Sequence, residues 1–317
     1  VETMRYSGIG GQAVMEGVMM KNQDKYAVAV RKPDKEIIVE VSEYPGIIKN
    51  KKIRNMPILR GVFSFIESLV LGMKTLTFSA SFFEEEEEKP KTVQEKKKDQ
   101  KKEDAMMGGT VAVSVILAVA IFMVLPYYIS LFFQRFTSSY LLIALLEGIL
   151  RLVIFIGYVA GISLMPDIKR VYMYHGAEHK CINCIEHGMD LTVENVKKSS
   201  KQHKRCGTSF LLIVMIISIF FFMFIHVDSG VARLLLRLVL IPVIAGVSYE
   251  FIRLAGRSDN ALVNILSKPG LWLQNLTTRE PDDEMIEVGI ASVEAVFDWK
   301  PYVEEIQREM DRERRDR

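Results

Sequence analysis

The run His175-Gly-Ala-Glu-His179 is the segment of this 317-residue sequence whose residue types and spacing most directly predict chemistry. On a helix, residues four apart lie one turn apart, so the two imidazoles face the same side with a carboxylate beside them. This arrangement binds zinc in metal-dependent enzymes. We therefore predict a divalent-metal site, most simply for Zn²⁺, with His175 and His179 as ligands. Glu178 is the predicted catalytic residue, which accepts a proton from metal-bound water.

Further ligands are available near this pair of histidines. If residues 171–187 form one helix that ends near Gly188, then Glu186 falls on the same stripe as the two imidazoles. We expect Glu186 to be a third ligand or to orient one. His203 and Cys206 lie just before a later apolar run. Both are expected to fold back toward the helix as additional metal ligands.

A structural zinc site is the competing prediction for the same segment. Cys181-x-x-Cys184 and His203-x-x-Cys206 have the spacing of a Cys₃His zinc knuckle. On the helix, Cys181 and Cys184 point away from the histidines, so the segment offers two different metal sites. We expect all three cysteines to be reduced. The simplest alternative is a solvated, partly paired helix face near lipid headgroups.

Four long apolar runs surround this segment and predict a polytopic membrane protein. A helix of about 20 apolar residues crosses a bilayer. We predict a mainly α-helical fold with four transmembrane helices in two hairpins, formed by residues 105–134, 136–165, 207–225 and 231–255. Within these helices, Glu147 and Arg151 are one turn apart and are predicted to pair, whereas Glu250 is expected to approach the metal face.

Lysine and arginine are concentrated in residues 166–206 and in the N-terminal flank of the first apolar run. The positive-inside rule assigns such segments to the cytoplasmic side of a membrane. Both termini and the histidine- and cysteine-containing segment are therefore predicted to be cytoplasmic.

The parts outside the spans are predicted from local patterns. Residues 26–30 and 37–41 are β-type runs around a turn, and Arg60, Glu67 and Lys74 recur every seven positions on an apolar segment that we expect to be an interfacial helix. Lys268-Pro-Gly is expected to break the chain, and Pro281 to open an amphipathic helix to about residue 297. The predicted segments are an N-terminal β-element (1–57), an interfacial helix (58–83), a charged linker (84–104), a first hairpin (105–165), the histidine/cysteine loop (166–206), a second hairpin (207–255) and a C-terminal helical segment (256–317).

Charge and motifs restrict the partners. A net charge of +2 gives no basis for nucleic-acid binding. The glycine-rich residues 8–20 lack the Gly-Lys-Ser/Thr of a phosphate-binding loop, so no cofactor other than a metal is predicted. Residues 1–12 do not have the pattern of a cleavable signal. The expected partners are the lipid bilayer and either another membrane protein or a second copy of the chain.

Four strings together resemble the YqhQ-like family, a bacterial membrane family of unassigned function described as predicted metal-dependent enzymes. They are GGQAVMEGVMM at residues 10–20, YHGAEHK at 174–180, RCGTSF at 205–210 and LTTREPD at 276–282. The resemblance implies a bacterial plasma-membrane protein in which His175, Glu178, His179, His203 and Cys206 lie in or next to the recurring strings. It implies no substrate.

The combined expectation is a metal-dependent hydrolase that acts at the cytoplasmic face on a lipid-linked or membrane-protein substrate. A non-enzymatic scaffold or assembly factor with a Cys₃His zinc loop is the first alternative. A small transporter, suggested by the charges within the spans, is the second, although four spans without visible repeats are unusual for one.

Overall fold

The computed structural model describes residues 5–48, 56–83, 93–225, 227, 229–256 and 260–315. The chain is mainly helical, as predicted, and divides into two compact units. The first unit comprises Val1–Phe83, Val159–Val214 and Pro242–Arg317, and the second comprises Glu84–Tyr158 and Met215–Ile241. All of the predicted site residues lie in the first unit.

The first unit begins with a four-stranded antiparallel sheet in sequential order, formed by β1 (Ile9–Val14), β2 (Gly17–Asn22), β3 (Lys25–Arg31) and β4 (Ile37–Glu43). The β3–β4 pair confirms the predicted hairpin, with Val28 opposite Glu40. The glycine-rich segment before it forms β1 and β2. Val14, Val18 and Met20 are buried in these strands, and this apolar content explains why they join the sheet.

The helices, with the bounds observed in the structure, are numbered here in chain order. They are α1 (Leu59–Ala80), α2 (Val93–Val119), which continues through a π-helical turn (Ala120–Val124) into α3 (Leu125–Phe133), α4 (Tyr140–Ile162), α5 (Pro166–Glu186), α6 (Val193–Lys198), α7 (Gly207–Met223), α8 (Gly230–Ala255), α9 (Ala261–Thr277), α10 (Asp283–Val296) and α11 (Trp299–Arg315).

Helices cover both faces of the sheet. On one face, α5 and α10 pack against the strands and share an apolar core that includes Met20, Ile182 and Ile286. On the other face, α1 packs through Leu71, and the Gln12 amide donates a hydrogen bond to the Thr75 hydroxyl at 3.0 Å. The sheet is therefore the support on which α5 is fixed.

Among the described residues, four helices are long and apolar enough to cross a membrane: Leu59–Ala80, Gly108–Phe133, Tyr140–Ile162 and Gly230–Ala255. The number of helices of spanning length agrees with the prediction, but the helices are not the same four. The predicted span at residues 207–225 forms a shorter apolar helix, Gly207–Met223, whereas the segment expected to be interfacial reaches spanning length.

The charges of α1 explain why that helix was underestimated as a span. Three charges at regular spacing argued against a buried position, because each needs a partner in an apolar environment. The Arg60 side chain donates to Glu250 on α8, Glu67 accepts the Ile47 N–H at 2.8 Å, and Lys74 lies 5.6 Å from the Tyr26 ring centre. All three charges have partners, and Glu250 pairs with Arg60 rather than approaching the metal face.

One local prediction, a chain break at Lys268-Pro-Gly, differs from the structure and one is confirmed. Pro269 and Gly270 lie inside α9 and do not break it, although a proline removes one helical hydrogen bond. Residues 93–104 of the predicted linker are helical, while 84–92 lie outside the described residues. The amphipathic helix after Pro281 is present as α10, and the Asp282 carboxylate caps it by accepting the Met285 N–H at 2.8 Å.

Candidate metal centre

Helix α5 brings the two histidines of the HGAEH run onto one face. It begins at Pro166 and ends at Glu186, and Gly188 then adopts a φ of 71°, which favours glycine. The predicted helix and its end are confirmed. The His175 and His179 ring centroids are 4.3 Å apart.

Each imidazole is oriented by a backbone carbonyl from another part of the chain. His175 Nδ1 lies 2.8 Å from the Thr277 carbonyl oxygen, and His179 Nδ1 lies 2.6 Å from the Lys201 carbonyl oxygen. A carbonyl can only accept, so each Nδ1 carries a proton, and Nε2 is the nitrogen left to bind a metal once it is deprotonated. This is the tautomer in which an imidazole binds a metal through Nε2.

Side chains on α5 hold the loop that supplies one of these carbonyls. The Lys180 ammonium donates to the Lys197 and Ser199 carbonyls, both at 2.9 Å, and the Asn183 amide donates to the Ser200 carbonyl at 2.6 Å. Since Lys201 follows directly, its carbonyl is fixed opposite His179.

Cys206 completes a three-residue cluster. Its Sγ lies 3.3 Å from His175 Nε2, and one ligand atom from each of His175, His179 and Cys206 lies within 4.8 Å of the others. The cluster is largely buried, with His179 and Cys206 at 1% and 5% exposure. In the part of the chain that the structure describes, no other group of three or more His, Cys, Asp or Glu residues has this geometry.

The electrostatics of the cluster favour a thiolate. Burial alone would raise the pKa of Cys206, but the charges of His175 and His179 outweigh it and lower that pKa well below its usual value. Burial alone would lower the pKa of His175, and the negative charge of Cys206 outweighs it and raises that pKa to about 9. A thiolate is the form of cysteine that binds metals.

Glu178 lies beside the cluster. Its Oε2 is 3.8 Å from His175 Nε2, and its carboxylate accepts a hydrogen bond from the Gly11 N–H of β1. Burial raises the pKa of this carboxyl group. A Cβ added at Gly11 would lie 2.5 Å from the Met19 carbonyl oxygen and 3.0 Å from Glu178 Cγ, so this close approach requires glycine.

Glu186 and His203 form a separate network further along α5. The Glu186 carboxylate accepts the Ser7 N–H at 2.9 Å and the Ser7 hydroxyl at 2.7 Å, and it pairs with Arg205 and His203. Burial alone would raise the pKa of Glu186, but the His203 hydrogen bond and the Arg205 charge hold it at about 2. Burial lowers the pKa of His203 to about 4, so His203 is neutral at pH 7. Neither residue is in the three-residue cluster.

The structure separates the cysteines of the alternative zinc knuckle. Cys181 and Cys184 lie in the apolar core shared by α5 and α10, both fully buried. A Cβ added at Gly289 of α10 would lie 2.9 Å from Cys181 Sγ. Burial raises the pKa of both thiols, that of Cys184 to about 11. Cys206, by contrast, lies with the histidines, so the four predicted Cys₃His ligands do not converge.

The residues that sequence reasoning missed act through their backbone. The Thr277 and Lys201 carbonyls and the Gly11 N–H carry no side-chain signal of their own. Gln274 was also missed, and it holds His203 in place by accepting from its N–H and donating to its carbonyl, both at 2.8 Å. Thr277 and Gly11 do lie in the strings quoted above, and this was the available signal.

All four strings meet at this site. Gly11 comes from the first, the two histidines and Glu178 from the second, Cys206 from the third and Thr277 from the fourth. The third and fourth also contact each other, with the Thr208 and Thr277 hydroxyl oxygens 3.2 Å apart.

Comparison with known proteins identifies the family of the chain. The family model described as "Protein of unknown function (DUF1385)" matches residues 56–299. The "Uncharacterized protein YqhQ" of Bacillus subtilis (strain 168) is 34% identical over 286 residues, which cover 89% of this chain and 90% of the relative. No solved structure matches the chain. The chain therefore belongs to the DUF1385 family and is similar to YqhQ.

Proposed function

We propose that this protein is a membrane-associated, metal-dependent hydrolase whose divalent ion is bound by His175 Nε2, His179 Nε2 and Cys206 Sγ. The observation that carries the proposal is the pair of Nδ1–H groups directed at the Thr277 and Lys201 carbonyls. Two imidazoles fixed in the metal-binding tautomer beside a thiolate form a ligand set, rather than a solvated polar face.

The number and type of donors fit a catalytic ion. Catalytic zinc sites use three protein ligands and keep a fourth position for water or substrate, whereas structural sites fill all four positions with protein. Imidazole and thiolate donors suit Zn²⁺ better than Mg²⁺ or Ca²⁺. Glu186 and His203 pair with each other and Arg205, so the proposed set stops at three.

A bound divalent ion lowers the pKa of a water ligand and polarises a carbonyl or phosphoryl oxygen. Glu178 supplies the proton transfer in this proposal. Its buried carboxylate is held by the Gly11 N–H and lies next to His175, and a raised pKa suits a group that takes a proton from water and gives it to a leaving group.

The proposed location is the cytoplasmic face of a bacterial plasma membrane. Four helices of spanning length support membrane association, and the lysine- and arginine-rich residues 166–206 support the cytoplasmic assignment. A lipid-linked or membrane-protein substrate follows from that location, with the bilayer itself as the first partner.

Two alternatives from the sequence are less well supported. A Cys₃His scaffold needs Cys181 and Cys184 beside Cys206, and both thiols lie in an apolar core. A transporter needs intramembrane charges that are available to a cargo, and Glu147 is engaged by both Arg151 and Arg237.

One other chemistry follows from a specific contact. Cys206 Sγ and His175 Nε2, 3.3 Å apart, also have the arrangement of a thiolate–imidazolium pair that attacks a carbonyl covalently. This second candidate requires no metal, so metal content separates it from the first.

The test is metal content by mass spectrometry of the full-length protein purified in detergent. We expect a stoichiometric divalent ion in the wild type and in His187→Gln, a matched control because His187 directly follows the same helix and its Nδ1 also contacts a backbone carbonyl, that of Asn183. His175→Ala/His179→Ala and Cys206→Ser should lose the ion, whereas Glu178→Gln should keep it.

The open position is tested on cobalt-substituted protein. Cys206→Ser should abolish the thiolate-to-cobalt charge-transfer band, and acetohydroxamate should change the visible spectrum by entering the fourth position. A cobalt-bound protein whose visible spectrum does not change with acetohydroxamate would indicate a structural site. A metal-free protein whose Cys206 is alkylated rapidly by iodoacetamide, and slowly after His175→Ala, would favour the covalent mechanism.

A further inference from the structure

Helix α9 has its polar and apolar faces reversed relative to a helix of a water-soluble protein. Its buried residues are small or polar, namely Ser267, Gly270, Gln274 and Thr277, with Leu273 as the one large apolar member. Its outer face carries Leu262, Ile265, Leu266 and Trp272, with exposures of 64%, 57%, 51% and 53%. At about 100° per residue these positions fall within an arc of about 120° and form one apolar stripe along the helix.

The reversed pattern recurs on α1 in the same unit. Glu67, Thr75 and Ser79 are buried, whereas Leu69, Val70 and Leu76 are 54%, 48% and 43% exposed. Both helices pack against the first turn of the apolar helix α7. Phe65 of α1 lies 5.6 Å from Phe210 between ring centres, and a Cβ added at Gly270 of α9 would lie 2.9 Å from Ser209 Cβ.

The neighbouring helix α8 and the residue types on α9 itself indicate what contacts this apolar stripe. Helix α8, which is of spanning length, ends at Ala255, and α9 begins a few residues later at Ala261. The start of α9 therefore cannot be far from the end of α8. Trp272 is the residue type that concentrates at the border between headgroups and acyl chains, and Lys268 is exposed on the same helix. A phospholipid bilayer matches this combination better than a protein groove does.

We infer that α9 is an in-plane membrane helix that inserts Leu262, Ile265, Leu266 and Trp272 into the headgroup–acyl border of the bilayer. The same helix also supports the candidate metal centre, because the Thr277 carbonyl at its end orients His175. Trp272 and Thr277 are five residues apart, about 8 Å along a helix.

The in-plane position of α9 determines the substrate class. This assignment of the substrate rests on the proposed function. Since an in-plane α9 separates the lipid border from the candidate metal centre by about one helix diameter, roughly 10–12 Å, the substrate is a molecule anchored in the bilayer. Its hydrolysable bond lies at headgroup depth, on the same side as the metal centre. A freely diffusing aqueous substrate would gain nothing from this placement.

The two tryptophans of the chain provide a direct test in nanodiscs. Trp299→Phe leaves Trp272 as the reporter on α9, and Trp272→Phe leaves Trp299 as the matched control on α11, where its Nε1–H donates to Glu294. Lipids brominated near the upper acyl chain should reduce Trp272 emission several-fold and leave Trp299 emission unchanged. Aqueous iodide should give the opposite order.

Quenching of Trp272 by iodide but not by brominated lipid would overturn the inference about α9. A second measurement addresses the substrate depth, with cobalt loaded in the cluster as an energy acceptor for a dansyl group on a lipid headgroup. Cobalt should quench the dansyl emission in the wild type and not in His175→Ala/His179→Ala. Cobalt that binds without quenching would overturn the assigned substrate class.

The two proposals fail separately in these experiments. If cobalt does not bind at all, the metal-dependent function is wrong, and the brominated-lipid result still decides where α9 lies. If cobalt binds and Trp272 remains in water, the metal site stands and the membrane-anchored substrate does not.

Discussion

Gly176 lies between His175 and His179 in sequence and allows another segment to cross α5 there. A Cβ at this position would collide with the Arg279 carbonyl oxygen, and the Arg279 N–H donates to the Tyr172 carbonyl at 2.8 Å. We predict that Gly176→Ala destabilises the protein by about 1–3 kcal/mol, because the backbone must shift. The shift also displaces Thr277 from His175, so metal content should fall.

The measurement is thermal unfolding and metal content in parallel, with Gly161→Ala as the control. Gly161 is also helical, and nothing lies within 4 Å of an added Cβ there. Alanine forms helices better than glycine by about 1 kcal/mol, so the control should be neutral or more stable. A Gly176→Ala variant that matched this control would show that the crossing does not constrain the site.

Glu186 predicts a dependence of stability on pH. Its pKa of about 2 in the folded protein lies below the reference value of 4.5. The ionised carboxylate therefore contributes stability above about pH 4.5, and the contribution is lost as the pH falls toward 2. The difference corresponds to about 3 kcal/mol. Below pH 4.5, Glu186→Gln should lose less stability with falling pH than the wild type does.

The change of the unfolding free energy with pH is measured by urea unfolding of detergent-solubilised protein at several pH values, with Trp299 fluorescence as the probe. Glu304→Gln is the control, since Glu304 is 64% exposed and pairs with Arg308 at the surface. Equal slopes for wild type and Glu186→Gln would contradict the assigned pKa.

At the scale of elements, the charged cluster in the second unit connects α4 and α8. Glu147 accepts from Arg151 at 2.9 Å and from Arg237 at 3.0 Å, and the three side chains are 2–3% exposed. The sequence predicted the Glu147–Arg151 pair, which is confirmed, but not Arg237. Removing the carboxylate leaves two buried cations, so Glu147→Gln should cost about 3–5 kcal/mol.

Thermal unfolding in nanodiscs measures this loss. The triple variant Glu147→Leu/Arg151→Leu/Arg237→Leu is the matched control, because an apolar replacement of a whole buried ion cluster is often tolerated. We expect the triple variant to be more stable than the single variant. The reverse order would contradict the role of Glu147 as the counter-charge that the two arginines need.

The sequence predicts a residue's position well when its partners lie in the same helix and poorly when they come from distant parts of the chain. The spacing of His175 and His179 fixes their mutual position within one helix, and helical geometry also predicted that Cys181 and Cys184 point elsewhere. The charges of α1 were misjudged because their partners, Glu250, the Ile47 N–H and Tyr26, come from three other parts of the chain. Pro269 was misjudged because the close packing of its neighbour Gly270 on Ser209 is a tertiary contact.

At the scale of the whole molecule, the proposed ion joins parts of the chain that are distant in sequence. His175 and His179 come from α5 and Cys206 from the residue before α7, while the orienting carbonyls come from the loop after α6 and from the end of α9. An ion bound only to the folded state stabilises it by about 2.7 kcal/mol at a free concentration of one hundred times Kd.

Chelation should therefore loosen these regions selectively. We predict that removing the metal accelerates amide hydrogen exchange at residues 199–208 and 275–281, because both segments meet the imidazoles and the thiolate that the ion would hold together. Exchange in residues 140–158 of α4, which belong to the second unit, should not change. In His175→Ala/His179→Ala, chelator should have no effect on any segment. Faster exchange throughout the chain would instead mean that the two units unfold together and that the ion stabilises the molecule as one cooperative whole.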